Sequence, residues 1–169
     1  METLTSIDLV PLLATHYPRV KAIYEQGIAT QNATLETTAP DWAKWDQGHL
    51  SHSRLVAVSP EGEVVGWAAL SAVSGRCVYG GVAEVSVYLD PAYQGRGIGK
   101  ALLEALITAS EANGIWTLQA GILKENEASV ALHQKCGFRL VGLRERIGQL
   151  NGQWRDTYLL ERRSAVVGV

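Results

Sequence analysis

Gln94-Gly95-Arg96-Gly97-Ile98-Gly99-Lys100 is the segment whose residue types and spacing say most about chemistry. Glycines at every second position let a backbone turn tightly and approach a ligand closely. An apolar run, Val85 to Leu89, precedes the segment, and a helical pattern, Ala101 to Ala112, follows it. N–H groups at such a helix start point outward, and the helix dipole adds partial positive charge, which makes a socket for a pyrophosphate. The spacing excludes two common phosphate loops. A P-loop needs Ser or Thr after Gly-Lys, and Lys100 is followed by Ala101. A Rossmann turn belongs to the first strand of its unit, with an acidic residue further on, whereas this loop lies in mid-chain. The remaining alternative is a tight loop that only caps a helix.

A second set of residues could move protons. Glu84 stands in the alternating run Val82 to Leu89; a carboxylate partly withdrawn from water can act as a general base. Read alone, it is equally an exposed strand residue. His133 lies on a helix opened by Asn126, and an imidazole gives or takes a proton near neutral pH. A lone helical histidine is more often a surface or satisfied core residue. Asn126 is by itself a natural N-cap. Arg76 could clamp a carboxylate through two hydrogen bonds, or stand as a loop arginine in solvent.

The elements that must position these residues are legible in outline. Ile7 to Leu13 reads as a first strand and its exit. Thr15 is placed to cap a helix with an apolar stripe at Val20, Ile23, Tyr24 and Ile28. Gln31 to Pro40 is a polar, turn-rich loop. Asp41 to Ser51 reads as a second helix, with Trp42 and Trp45 as packing residues. Arg54 to Val58 and Val64 to Ser71 form a hairpin around Ser59-Pro60-Glu61-Gly62-Glu63. Val82 to Leu89 is a strand that stops at Asp90-Pro91. A helix from Ala101 to Asn113 ends at Gly114. Ile115 to Leu123 is a strand, and the helix opened by Asn126 ends at Gly137. Phe138 to Leu143 and Trp154 to Leu160 close the chain around an Asn151-Gly152 turn. The order implies an α/β fold of three layers, α/β/α, with a central mixed sheet.

With both sides of the loop in view, the pattern resembles the acyl-CoA pyrophosphate loop of the GCN5-related N-acetyltransferase (GNAT) superfamily, Gln/Arg-x-x-Gly-x-Gly/Ala. The strand Ala83 to Leu89 and the segment from Asn126 through His133 to Gly137-Phe138 extend the likeness. Within the superfamily the chain is most similar to the phosphinothricin and methionine sulfoximine acetyltransferases, on Ile23-Tyr24, Gly27-Ile28, Ala33-Thr34-Leu35-Glu36-Thr37, Arg76, Tyr79, Glu84 to Tyr88, Ser129 to His133 and Gly152-Gln153-Trp154-Arg155-Asp156. The match runs from about Ile7 to Leu160. One departure is Leu35, where the family usually has Phe.

That resemblance implies a twisted, splayed sheet and acetyl-CoA as acetyl donor. The strand Val85, Ser86, Val87, Tyr88 and Leu89 would pair with the pantetheine through free backbone groups, and the Val87 N–H would be the oxyanion donor. Gln94, Gly95, Arg96, Gly97, Ile98, Gly99 and Lys100 would hold the pyrophosphate, with Asn126 and Ser129 on the CoA arm. Glu84 would be the base. His133 occupies the position where many members carry a Tyr that protonates the departing thiolate, and would be its partner acid or relay. Thr34, Leu35, Glu36, Arg76 and Tyr79 would border a small amino-acid-like acceptor such as phosphinothricin, methionine sulfoximine or methionine sulfone. Transfer would be direct, in a ternary complex, and a homodimer is the family expectation. Acetylation of peptide N-termini or polyamines, and a non-catalytic acyl-CoA sensor, are the rival readings. Glu84 and His133 are both present, which speaks against the sensor.

Composition fits such a domain. At 169 residues and 47% hydrophobic content the chain suits one domain, here 1–163 with a loose tail at 164–169, and needs no metal or disulfide staple. A formal net charge of −2 gives no pull toward nucleic acid or an anionic membrane. Cys77 and Cys136 form no CxxC pair, as suits a reducing cytoplasm. The start has no basic leader region, and no apolar run reaches the roughly 18 residues of a membrane span.

Overall fold

The structure, a computed structural model, describes residues 6–169; residues 1–5, on which the start of the expected domain span and the leader reading fall, lie outside it. The strands are β1 (Asp8–Pro11), β2 (Leu55–Val58), β3 (Val64–Ala72), β4 (Val82–Leu89), β5 (Thr117–Leu123), β6 (Arg139–Leu150) and β7 (Gln153–Arg163). The helices are α1 (Tyr17–Ala29), α2 (Trp42–Gly48), α3 (Ile98–Ala112) and α4 (Glu127–Lys135). One seven-stranded sheet runs in the order β1-β2-β3-β4-β5-β7-β6. Each neighbouring pair is antiparallel except β4 and β5, which are parallel.

Two cores separate three layers. α3 presents Ile98, Leu102, Leu103, Leu106 and Ile107 at helical spacing, and these pack on Ala83, Val85, Leu118, Ala120, Ile122 and Leu160. Val130 and Leu132 of α4 join the same core. On the other face, Tyr17, Val20 and Ile23 of α1 and Trp45 of α2 pack on Val56, Trp67 and Ala69. Fully burying one such aliphatic side chain contributes roughly 1.5–3 kcal/mol. Trp42 and Trp45 stack at 5.8 Å, as their spacing suggests. No helix among the described residues is long and apolar enough to cross a membrane.

Several local expectations change. α1 starts at Tyr17, with His16 at the N-cap and no side-chain cap. Thr15 lies in a 3₁₀ turn, Ala14–His16, where the His16 Nδ1 accepts the Leu13 N–H at 3.0 Å. α2 ends at Gly48 rather than Ser51, because the Leu50 N–H leaves the helix to donate to the Leu70 carbonyl of β3 at 2.8 Å. The closing strands run longer than their alternation suggests, since register shifts between Leu140 and Gly142 and between Arg144 and Gly148 interrupt the period. The residues after β7 make hydrogen bonds to the rest of the chain. The Ser164 hydroxyl donates to Glu111 at 2.7 Å, and the Arg163 guanidinium donates to the carbonyls of Val167 and Gly168, each at 2.8 Å. A single long side chain can satisfy several tail carbonyls, which composition does not reveal.

Candidate active site

The parallel ladder between β4 and β5 holds the key geometry. Its pairs are Val82 with Thr117, Ala83 with Leu118 and Glu84 with Gln119, and there it stops. Both strands continue, β4 to Leu89 and β5 to Leu123, so beyond Glu84 they diverge into a wedge. Backbone polar groups along an open strand edge seek partners, and Val85 to Leu89 line that edge. The splay is therefore present, and Glu84 sits at its apex.

Glu84 is half-buried. The Gln119 amide donates to its Oε1 at 3.1 Å, which orients the carboxylate and leaves its second oxygen without a partner among the described residues. Strand alternation puts Glu84, Ser86 and Tyr88 on the α1 face, opposite Ala83 and Val85. Gly121 lies beneath the carboxylate, where an added Cβ would sit 3.9 Å from Oε1.

At the open end of β4, Tyr88 stacks on Trp67 at 5.0 Å and meets Tyr24 edge-on at 4.9 Å. Burial raises both phenols above the ordinary tyrosine value, and Thr34 beside them opposes the shift. The start of the loop 31–36 lies near α1, since a Cβ added to Gly27 would fall 2.8 Å from the Tyr88 ring and 3.5 Å from the Ala33 Cβ. Glu36 is exposed and its N–H donates to the Thr34 hydroxyl at 3.1 Å. Leu35 does not simply edge a cavity. It packs on β6, so closely that a Cβ added to Gly148 would fall 2.6 Å from Leu35 Cδ1. The loop therefore spans from β4 to β6 across the α1 face of the wedge. Arg76 and Tyr79 belong to the β3–β4 connection, next to the Glu84 end of the sheet. Both are exposed, and the Arg76 guanidinium lies 5.9 Å from the Tyr79 ring centre.

The loop after β4 has the shape its glycines suggest. Gly95 and Gly97 have φ of +77° and +79°, with Gly97 as N-cap of α3. An added Cβ at either would meet nothing within 4 Å, so the backbone faces open space. Among the described residues, the N–H groups from Gly95 to Lys100 make no hydrogen bond to the protein. Ile98 is buried as the helix anchor. Arg96 lies over Tyr93 at 5.1 Å, and Lys100 pairs with Glu104 at 3.7 Å.

On the α3 face, Asn126 caps α4, its Oδ1 accepting the Ser129 N–H at 3.2 Å. His133 is buried, edge-on to Phe138 at 5.2 Å. Its Nδ1 lies 2.7 Å from the Ser129 carbonyl oxygen and 3.5 Å from the Ser129 hydroxyl. A carbonyl only accepts, so Nδ1 carries a proton and donates to it. Burial lowers the His133 pKa below its usual value, against an opposing contribution from that backbone bond. That direction favours the neutral ring.

The structure does not join Glu84 and His133 as a contacting pair. Glu84 projects to the α1 face, while His133 lies under α4 with the α3 core. Residues missed in the sequence reading include Gln119, whose partnership with Glu84 exists only through the parallel ladder. No local signal marks it.

Residues 21–138 match the family model for the acetyltransferase (GNAT) family. The chain belongs to the GNAT acetyltransferase family. A phosphinothricin N-acetyltransferase from Streptomyces coelicolor is 32% identical over 157 residues, which is 92% of this chain and 90% of that protein. An L-methionine sulfoximine/L-methionine sulfone acetyltransferase from Pseudomonas aeruginosa is 32% identical over 149 residues, 85% of this chain and 87% of that protein. The fold is similar to that of a GNAT superfamily phosphinothricin acetyltransferase from Sinorhizobium meliloti solved in complex with AcCoA. The TM-score is 0.86 at 32% identity, covering 96% of this chain and 90% of that one. The wedge at Glu84, the unpartnered loop donors and the GNAT family match thus coincide in one chain.

Proposed function

We propose that this GNAT enzyme transfers the acetyl group of acetyl-CoA to the amino group of a small amino-acid-like acceptor, with phosphinothricin, methionine sulfoximine and methionine sulfone as the leading candidates. The observation that carries the reading is the ladder that ends at Glu84 and Gln119, with the loop 31–36 on one face of the wedge and the glycine loop at its open end. Acetyl-CoA supplies an activated acyl thioester. The unpartnered N–H groups of Gly95 to Lys100 suit its pyrophosphate, and the open edge Val85 to Leu89 suits its pantetheine amides. Asn126 and Ser129 border the same arm.

An amine acceptor is an ammonium ion at neutral pH and must lose a proton before it attacks. Glu84, oriented by Gln119, takes that proton directly or through water. The Val87 N–H donates where negative charge develops on the carbonyl oxygen. His133 acts as a relay on the opposite face, since its neutral ring accepts a proton at Nε2 before it can return one to the thiolate. The attack forms the C–N bond and breaks the C–S bond, with no acyl-enzyme. Arg76 grips the acceptor carboxylate, with Tyr79, Thr34, Leu35 and Glu36 around its side chain.

We further propose a cytoplasmic homodimer. Leu140, Val141, Leu143, Ile147 and Trp154 expose apolar surface at the β6–β7 edge, and Cys77 and Cys136 are free thiols. The deciding experiment follows CoA-thiol release across a panel of amino acids, dipeptides and polyamines. Turnover with the amino-acid sulfoximines and phosphinothricin is the expected result. Turnover confined to peptides or polyamines would replace the acceptor, and none with any amine would overturn the enzyme reading.

A further inference from the structure

Arg155 belongs to a motif that the chemistry above leaves unused. It lies on β7, on the same face as the loop 31–36, and its side chain is 15% exposed. Its guanidinium makes three hydrogen bonds to two distant segments. Nη1 donates to the Gln31 carbonyl at 2.8 Å, and Nη2 donates to Asn32 Oδ1 at 2.9 Å and to Glu125 Oε2 at 3.0 Å. Gln31 has a φ of +59°, a left-handed conformation that a non-glycine residue keeps only where its surroundings hold it. Glu125 directly precedes Asn126, the cap of α4. The hydrogen bond from Arg155 is also the main cause that holds the Glu125 carboxyl below its ordinary pKa.

From this geometry we infer that Arg155 is a positioning residue: it fixes the loop 31–36 over the wedge and couples that loop to the β5–α4 turn on the cofactor side. The inference rests on the reading of 31–36 as the acceptor loop. Leu35 packs the middle of the loop on β6, and its first residues are tied to the end of α1 by the Gln31 N–H to the Ile28 carbonyl and the Asn32 N–H to the Thr30 hydroxyl; Arg155 adds the side-chain hydrogen bonds that join those residues to β7 and to the turn before Asn126. A guanidinium fork can serve several acceptors in fixed directions. A lysine ammonium offers a single point charge, so Arg155→Lys is not conservative here.

The test combines kinetics with amide hydrogen exchange on the full-length enzyme. Arg155→Gln and Arg155→Lys are expected to raise the acceptor KM by about 10- to 100-fold, the scale of lost charge-assisted hydrogen bonds. kcat at saturating acceptor and the acetyl-CoA dissociation constant should stay within a few-fold of wild type. Exchange should accelerate at residues 31–36 and not at the start of α3. Asn32→Ala removes one contact without touching β7, and should show the same split in weaker form if the arginine variants fold poorly. An unchanged KM together with unchanged exchange at 31–36 overturns the inference, as does a fall in kcat and acetyl-CoA affinity that matches the KM effect. If the wild-type enzyme acetylates no amino acid, the acceptor reading fails, while the exchange arm still decides whether Arg155 holds the loop.

Discussion

Gly97→Val tests the phosphate loop most directly. Gly97 is the N-cap of α3 at φ +79°, ψ +6°. A Cβ added there meets nothing within 4 Å. The main cost lies in the backbone, where the left-handed region penalises an L-residue by about 1–2 kcal/mol and a β-branched residue most of all. Gly97 is also exposed, so the loop can relieve the strain by leaving its geometry, and the packed Ile98 anchor keeps α3 in place. That relaxation redirects the unpartnered N–H groups of residues 95–100. The penalty then appears in cofactor binding rather than in stability. It corresponds to roughly 5- to 30-fold weaker binding. Calorimetric titration with CoA measures it, and a thermal melt should show little loss. Gly95→Ala, at φ +77°, should behave likewise but more mildly. Wild-type CoA affinity in Gly97→Val would refute the reasoning, because a loop that binds through its backbone cannot ignore a forced change in that backbone.

Glu84→Gln should depress turnover by about 10²- to 10⁴-fold, the usual span for a lost general base, with the acetyl-CoA dissociation constant nearly intact; retained wild-type turnover at neutral pH would remove Glu84 from the proton chemistry. Burial lowers the folded-state pKa of His133 and of His49, so below the ordinary histidine value of about 6.5 the unfolded chain binds protons that the folded chain does not. Stability should therefore be fully present above pH 6.5 and fall as pH drops toward the folded values, by up to about 1.4 kcal/mol per pH unit per histidine. Urea midpoints between pH 7.5 and 5.5 should be flatter in His133→Gln and His49→Gln than in wild type, and equal slopes would contradict the burial assignment. Leu35→Phe enlarges a side chain already packed on Gly148, and should shift acceptor preference toward compact substrates by about 1–3 kcal/mol in kcat/KM, read by steady-state kinetics on matched acceptors. Removing the acceptor carboxylate should cost about 1.5–3 kcal/mol if Arg76 grips it, and this penalty should vanish in Arg76→Gln.

Local chemistry carries a long way along this chain. Glycines at 95 and 97 dictate a turn at the start of α3 because few other residues enter the left-handed region, and Asn126 marks a helix start because its side chain accepts a neighbouring N–H. The alternation of Val82 to Leu89 announces β4 and sets Glu84 on the face opposite Ala83 and Val85. These are properties of near neighbours, and sequence suffices for them. Contacts between distant segments are different, because nothing in the types of the residues themselves states their pairing. Gln119 lies 35 residues from Glu84, and only the parallel register puts its amide on the carboxylate. That register also ends at the same pair, so the wedge is a property of the sheet and not of either strand. His133 follows the same logic in reverse: its type and spacing suggest proton chemistry, but its burial against Phe138 lowers its pKa, and the fold sets it on the far face from Glu84. Arg155 is a charged strand residue until β7 lies beside the loop 31–36 and the β5–α4 turn. Its three acceptors come from positions 30 to 124 residues away, and only chain topology brings them within reach of one guanidinium.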